Sequence, residues 1–435
     1  MNDYQSYKKL NTIRLDWLAT LLYLVLVATG LAAVYSTTHS GEETRWFSMG
    51  TLYGKQLVWS IISLVTVGVL LAIDRGVYER FAGLIYLFSL GLLAGLFLFG
   101  TTVKGQTNWY RFAGISFQPS EFVKPAVALA LAKVMSDPLF DIRKLKDFTN
   151  AAAVVLVPAV LIALLPDMGT AMVFGGFVFV FLREGMPSYI FWISMLLVLL
   201  FMATVKFGPV ATWLFVIVVL LLFSYISYRK RPIFLHRNWG ILTVFALSVS
   251  LVIAGSHWSF RHVLKKHHTD RLSLWLRLEK DPAKLRYLKR DYGYNNDQSI
   301  KAIAAGGWSG KGFLQGERTR GDFVPEQHTD YIFSAIGEEF GFAGASLVVV
   351  VFVALILRLI WLSGQQRSAF SRIYGYSVAS LLFVHFFINI GMVTDLLPTV
   401  GIPLPYISYG GSSLWGFTVL LFIFLRMDAH RHHEL

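Results

Sequence analysis

The chain has 435 residues, of which 55% are hydrophobic and only 15% charged, with a net charge of +13. That apolar fraction excludes an ordinary soluble globular protein of this length, and the absence of cysteine excludes disulfides, thiolate nucleophiles and cysteine-bound metal. The basic residues fall in short groups between apolar runs instead of on one face or tail, which argues against a nucleic-acid surface and for a polytopic protein in contact with membrane lipids. A polyanionic lipid headgroup stays compatible with the charge.

A membrane helix needs roughly 20 apolar residues. In chain order the candidates are Trp17–Tyr35, Leu57–Ile73, Phe81–Phe99, Phe117–Met135, Ala151–Leu165, Gly169–Leu182, Tyr189–Val205, Val210–Ser227, Gly240–Ala254, Ala345–Leu362, Tyr374–Thr394 and Ser413–Leu425. The polar segment Met1–Asp16 precedes a first run long enough to span, so no cleavable signal is expected. The fold class is therefore all-α: a transmembrane bundle of about 10–12 spans, read as a single integral membrane domain over 1–435.

Basic residues set the orientation. Lys8, Lys9 and Arg14 precede the first run, Arg143, Lys144 and Lys146 follow the fourth, Arg229, Lys230, Arg231 and Arg237 follow the eighth, and Arg367 and Arg372 follow the tenth. With twelve spans these share one side, which the positive-inside rule makes cytoplasmic together with both termini. Thr101–Ser116, Pro166-Asp167, the long segment 255–344 and Asp395–Ser412 then lie outside. The segment 255–344 is too long for a mere connector. Within it, Asp270–Leu278 has a helical apolar period suited to a helix on the membrane surface, which Pro282 should end or bend.

Several polar motifs punctuate this frame: Trp109 with FQPSEFVK at Phe117–Lys124, PDMGTA at Pro166–Ala171, Arg271 with Asp281-Pro282, GYNNDQS leading to GKGF, FVPEQHTDYIF, GEEFG, and LLPTVGIPLPYISYGGSS at Leu396–Ser413. In this order they resemble the SEDS family of shape, elongation, division and sporulation proteins (RodA, FtsW, SpoVE), and the last motif is closer to the RodA branch. The resemblance implies a peptidoglycan glycosyltransferase of the bacterial cytoplasmic (inner) membrane. It would join lipid II units through β-1,4 bonds during cell-wall elongation and release undecaprenyl pyrophosphate, with a class B penicillin-binding protein as transpeptidase partner. The chain departs from the family pattern in an added helix pair between Tyr189 and Ala254, in the longer link AKLRYLKRDY after Asp281-Pro282, and in Asn108 before Trp109 where arginine is frequent. A lipid II flippase and a non-catalytic scaffold of the elongation or division complex are the competing functions.

Forming the glycosidic bond needs a base for the acceptor hydroxyl and positive charge for the departing diphosphate. From the residues alone, Asp281 before a proline reads as a turn or cap; the resemblance makes it the catalytic base, with Asp291 as its rival because the longer link could shift the carboxylate. Glu121 and Lys124, three apart on one helix, are either a self-neutralising pair, since an unpaired charge costs about 2.5–3.5 kcal/mol in a membrane, or a cavity wall with Lys124 facing the lipid diphosphate. Asp167 is an N-cap, a cavity residue or both. Arg271 is an interfacial cation or a bidentate diphosphate ligand.

Glu326, His328 and Asp330 read as a loop-to-helix junction, with Asp330 as cap, or as residues that shape the site; zinc is disfavoured because no second histidine stands at zincin spacing. Glu338 and Glu339 read as an exposed acid pair in a helix's first turn or as site residues. Trp109 is a belt aromatic or a sugar platform, and Ser408 and Ser412 satisfy polar groups around the tight turn at Gly410-Gly411. A divalent cation, Mg or Mn, would assist at the diphosphate, although no ligand set is legible and the metal site stays unknown.

Overall fold

A computed structural model describes residues 15–39, 50–103, 105–112, 115–230, 232–262, 264, 266–291, 293–321 and 323–431. Lys8, Lys9, Arg14 and Arg231 of the orientation argument lie outside them. Each of the twelve expected apolar runs is a helix or helix pair. In order they are α1 (Trp17–Thr38), α2 (Leu52–Ala72), α3 (Arg75–Phe99), α4 (Pro119–Met135), α5 (Leu145–Leu164), α6 (Met168–Val173) with α7 (Phe177–Arg183), α8 (Ser188–Phe207), α9 (Pro209–Lys230) and α10 (Pro232–His262). After the long segment come α15 (Ile332–Gly364), α16 (Ala369–Val393) and α17 (Gly411–Asp428). Among the described residues nine helices are long and apolar enough to cross a membrane, which makes this a multi-pass membrane protein. Of the other runs, α4 has 17 residues, and α6–α7 is joined through a 3-10 turn at Phe174–Gly176.

The helix starts follow local chemistry. Asp16, Thr51 and Asp74 accept backbone N–H groups at the heads of α1, α2 and α3, and Pro119 opens α4 where an N–H would have no partner. The largest departures from the expected bounds are in α10 and α15. Helix α10 runs on through Gly255 to His262, because an apolar helix in lipid keeps its backbone bonded where a soluble one would fray. Helix α15 starts at Ile332 and breaks internally at Gly341, whose φ of 63° and ψ of −164° only glycine adopts freely.

The connector 101–117 is not irregular. It holds three short antiparallel strands, β1 (Thr101–Val103), β2 (Gln106–Phe112) and β3 (Ile115–Phe117), in the order β1-β2-β3. The long segment carries α11 (Lys266–Trp275), α12 (Pro282–Asp291), α13 (Tyr294–Gly306) and the single turn α14 (Glu317–Arg320). The surface helix expected over Asp270–Leu278 is thus α11, shifted toward the N-terminus. It ends before Arg277, which has φ of 57°, and Pro282 opens α12 instead of closing α11.

The chain divides into two compact units, 1–186 with 295–435, and 187–294. In the first, α4 is the central helix: it packs on α3, α5, α16 and α17, and nearly all of its residues are buried. Its alternation of Ala126, Ala128, Ala130 and Ala132 with larger residues lets neighbouring helices approach closely. One end of this unit is laced by cations: Arg358 bonds Asp16, Arg372 bonds Glu184, and Arg426 donates to the Ile73 carbonyl. The second unit packs α8, α9 and α10 on one another around Leu200, Val249 and Ile253, and pairs α11 with α12.

Candidate functional site

In the first unit the polar motifs converge at the end opposite those ion pairs. The strand period of two sorts the β2 side chains. Asn108 and Tyr110 are buried on one face, where the Tyr110 hydroxyl donates to the Leu92 carbonyl at 2.9 Å and Asn108 Nδ2 donates to Asp167 Oδ2 at 2.8 Å. Trp109 and Arg111, on the other face, line a cleft. Asp167 also accepts from the Thr170 N–H at 3.1 Å and its hydroxyl at 3.0 Å, so it is the N-cap of α6 and the anchor of the strand ribbon at once.

The Glu121–Lys124 pair is closed at 2.8 Å, with both side chains almost entirely buried. Lys124 Nζ lies 4.6 Å from the Phe417 ring centroid, a cation–π arrangement. The edge of the same ring system meets His385, at 4.7 Å between centroids. His385 and Asn389 were missed by the sequence reading, although two polar residues four apart inside an apolar span are a recognisable signal. His385 Nδ1 lies 3.4 Å from the Pro403 carbonyl, and Asn389 Nδ2 donates to the Asp330 and Ile402 carbonyls at 2.8 and 2.7 Å. Glu121 Oε2 and His385 Nε2 are buried without a protein partner among the described residues.

Glu338 and Glu339 are not an exposed first-turn pair. Glu338 is fully buried and receives the Arg318 and Thr319 N–H groups at 2.9 and 2.8 Å and the Thr319 hydroxyl at 2.7 Å, so it clamps α14. Glu339 accepts from the Ser36 hydroxyl of α1. Both sit just before the Gly341 break, where Gly310 approaches so closely that a Cβ would lie 2.1 Å from the Glu339 carbonyl oxygen.

The Glu326–Asp330 loop is tied to the turn before α17. The Tyr409 N–H donates to the His328 carbonyl at 2.8 Å, and the Ser408 hydroxyl donates to the Thr329 carbonyl at 2.6 Å while accepting the Leu404 N–H. Thr329 donates to the Glu326 carboxylate at 3.2 Å. The position capping α15 is Tyr331, which makes no side-chain cap bond, so Asp330 is not the cap that its place before the helix suggests. Ser412 accepts the Gln118 N–H at 3.1 Å and joins α17 to the head of α4.

Between α2, the strand ribbon and the start of α17 lies a cleft of about 360 Å³, lined among others by Lys55, Trp59, Trp109, Arg111, Tyr409 and Ser412. Trp109 is therefore a wall of a recess. Gly411 is pressed so closely onto the Trp59 indole that a Cβ there would lie 2.3 Å from it, which explains the glycine at that position.

The second unit holds Asp281 and Arg271. Asp281 is exposed; its Oδ1 accepts the Ala283 N–H at 2.9 Å and its carbonyl accepts the Leu285 N–H, so it caps α12 ahead of Pro282. That bond uses one carboxylate oxygen, Oδ1, and leaves Oδ2 outside the cap. Next to it, Glu279 bonds Lys284 at 2.5 Å. Arg271 is half-buried on α11, and the side chain of Asp291 lies outside the described residues. Among the described residues no group of three histidine, aspartate or glutamate side chains is placed to hold a metal ion.

Comparison with known proteins places this architecture. The peptidoglycan glycosyltransferase MrdB of Escherichia coli K12 is 29% identical over 424 residues, covering 97% of this chain and 95% of that one. The peptidoglycan glycosyltransferase RodA of Treponema pallidum is 29% identical, covering 96% of this chain and 98% of the relative. The fold matches a solved peptidoglycan synthase complex chain with a TM-score of 0.65 at 23% identity, covering 97% of this chain and 99% of that one. Thermus thermophilus RodA matches with a TM-score of 0.60 at 21% identity, over 97% and 99% of the two chains. The cell cycle protein model for FtsW, RodA and SpoVE matches residues 16–433, and the chain belongs to that family.

Proposed function

We propose that this protein is a peptidoglycan glycosyltransferase that polymerises lipid II into glycan strands. The observation that carries the reading is the convergence of the motif loops 106–118, 326–331 and 404–412 at one end of a membrane bundle, beside an open cleft, in a chain with full-length relatives named for this activity. In the inner membrane, with the basic loops and both termini cytoplasmic, that end faces the side where exported lipid-linked sugars are met.

The reaction joins the 4-hydroxyl oxygen of an acceptor sugar to the anomeric carbon of a donor. The bond from that carbon to the donor's diphosphate breaks through an oxocarbenium-like transition state. Asp281 takes the hydroxyl proton, and its exposed second oxygen supports that role. Arg271 is assigned to the charge developing on the diphosphate. Lys124, bonded to Glu121 inside the bundle, contributes its field in place of a direct contact. Because the described residues bring no three metal-ligating side chains together, a divalent cation would be held chiefly by diphosphate oxygens. A class B penicillin-binding protein is the transpeptidase partner, in line with the match to a chain of a complex that coordinates polymerisation and crosslinking.

The test is chain formation from labelled lipid II by the purified protein with its transpeptidase. Asp281→Ala should lower polymer yield by roughly 10²–10⁴-fold, the usual contribution of a general base, with no more than the small stability loss of a removed α12 cap. Full polymer from the variant removes Asp281 from the chemistry. A wild type that moves lipid II across a bilayer and makes no polymer sinks the enzyme in favour of a transporter.

A further inference from the structure

Helix α12 is built almost entirely from the link AKLRYLKRDY, in which this chain departs from the family pattern, and its two sides differ. Leu285 and Leu288, one turn apart, are half-buried and buried, and the helix pairs with α11. Arg286, Lys289 and Arg290, spaced i, i+3 and i+4, share another side and are all exposed. Lys284 is matched by Glu279, but no carboxylate among the described residues pairs with any of those three. Arg286 Nε donates to the Pro282 carbonyl of its own helix at 3.2 Å, which leaves its charge unmatched. Asp291 follows these residues at spacings that do not face across a helix. Like charges at i, i+3 and i+4 destabilise a helix, so this side is one that an anion relieves.

The same unit sets that side near a bilayer edge. The apolar span Thr243–His262 ends in Trp258, Arg261 and His262; Trp258 is exposed and its ring stacks on His262, an interfacial ending for a membrane helix. Helix α11 starts at Lys266, is only 10 residues long, and has α12 packed against it. A helix of that length spans about 15 Å, so α12 stays within about that reach of the headgroups. From Arg261 to Asp291 the chain carries ten lysines and arginines against four carboxylates. Such an excess beside a span attracts anionic headgroups. Because Leu285 and Leu288 are already covered within the protein, α12 has no apolar side left to insert, and its contact with a bilayer runs through its cations.

We infer that the Arg286, Lys289 and Arg290 side of α12 is a docking surface for anionic phospholipid headgroups of the leaflet where α10 ends. Those headgroups are the anions permanently within reach of it. They carry the phosphate that arginine binds through paired hydrogen bonds and lysine through a point charge. The contact is superficial and electrostatic, so salt weakens it. Asp281 caps α12, and docking holds its carboxylate near the bilayer edge; this last consequence alone rests on the proposed reaction.

The chain has no cysteine, so Ala283→Cys, at an exposed position one turn before Arg286, gives the full-length protein a single site for a fluorophore. The labelled protein is placed in phosphatidylcholine nanodiscs with a constant small fraction of headgroup-spin-labelled lipid, and phosphatidylcholine is replaced stepwise by phosphatidylglycerol. Quenching should rise with phosphatidylglycerol, saturate, and fall again in high salt. Arg290→Gln should raise the half-maximal phosphatidylglycerol fraction roughly fivefold, the usual worth of one cation at an anionic surface. Arg286→Gln, Lys289→Gln and Arg290→Gln together should remove the response without lowering the unfolding temperature, and Arg286→Lys with Arg290→Lys should keep it. Quenching that ignores phosphatidylglycerol, or that is equal in the triple variant, overturns the docking surface. Loss of quenching on adding lipid II far below the phosphatidylglycerol fraction also overturns it, by giving the cations to the substrate. A labelled protein that responds to phosphatidylglycerol but makes no polymer sinks the reaction and leaves the surface standing.

Discussion

The last two helices of the first unit and the first helix of the second are all long and apolar enough to span a membrane, and they have opposite environments. In α16 and α17, 67% and 78% of the span is buried; in α8 the share is 11%. The buried helices carry His385, Asn389, Thr418 and Arg426, each engaged with a neighbour, while α8 presents leucine, isoleucine and tryptophan outward and keeps only Leu200 and Thr204 inward. Lipid is as apolar as leucine, so burial in a membrane is not enforced by hydrophobicity. What distinguishes the two regions is specific polar and small-residue packing in one and a thin apolar contact in the other.

That contrast can be broken most severely at Glu121. Glu121→Leu leaves Lys124 buried without its partner and should cost about 3–5 kcal/mol, read as a fall in the thermal unfolding temperature in detergent. Adding Lys124→Met should recover most of the loss, because neither charge then remains unpaired. A single variant as stable as the wild type would show that the pair is not part of the packing.

A smaller effect sharpens the other side. Leu200→Ala removes a member of the second unit's core and should cost about 2 kcal/mol, the low end for a buried leucine, because that core is thin. Leu199→Ala, at a side chain 58% exposed, should change stability by less than about 0.5 kcal/mol. Equal losses at the two positions would mean that α8 has no distinct inner face.

The smallest effect is a pH dependence outside the spans. Lys284 beside Glu279 holds that carboxyl below its usual range. The contact therefore supports the start of α12 above the ordinary carboxylate pKa and is lost as pH falls through the depressed value. Amide exchange in α12 should speed up on acidification, and Lys284→Met should weaken that dependence, leaving the part that the Asp281 and Lys280 N–H groups supply. Lys284 is exposed and Glu279 only half-buried, so the change should be modest.

Much of the bundle was legible in the amino-acid order, since every expected span has its helix. The strands at 101–117 were not, because β1 and β3 have three residues each and the seven of β2, QTNWYRF, show no alternation of apolar and polar residues. The cleft was half legible. Trp109 and Ser412 were found through motifs, whereas Lys55 looks like any interfacial lysine until α2 is placed against the ribbon. Glu338 illustrates the same limit: a glutamate near a helix start reads as surface charge, and only α14 folding over it supplies the three donors that bury it.

What the sequence determined by itself was where helices run, because in lipid every backbone N–H and C=O must be bonded within its own segment, and an apolar run leaves the chain no other choice. Tertiary structure alone decided which polar groups meet. Ser36 with Glu339, Asn108 with Asp167 and Gln118 with Ser412 are partners separated by long stretches of chain, and a hydrogen bond between such groups depends on how helices pack, which no local pattern encodes.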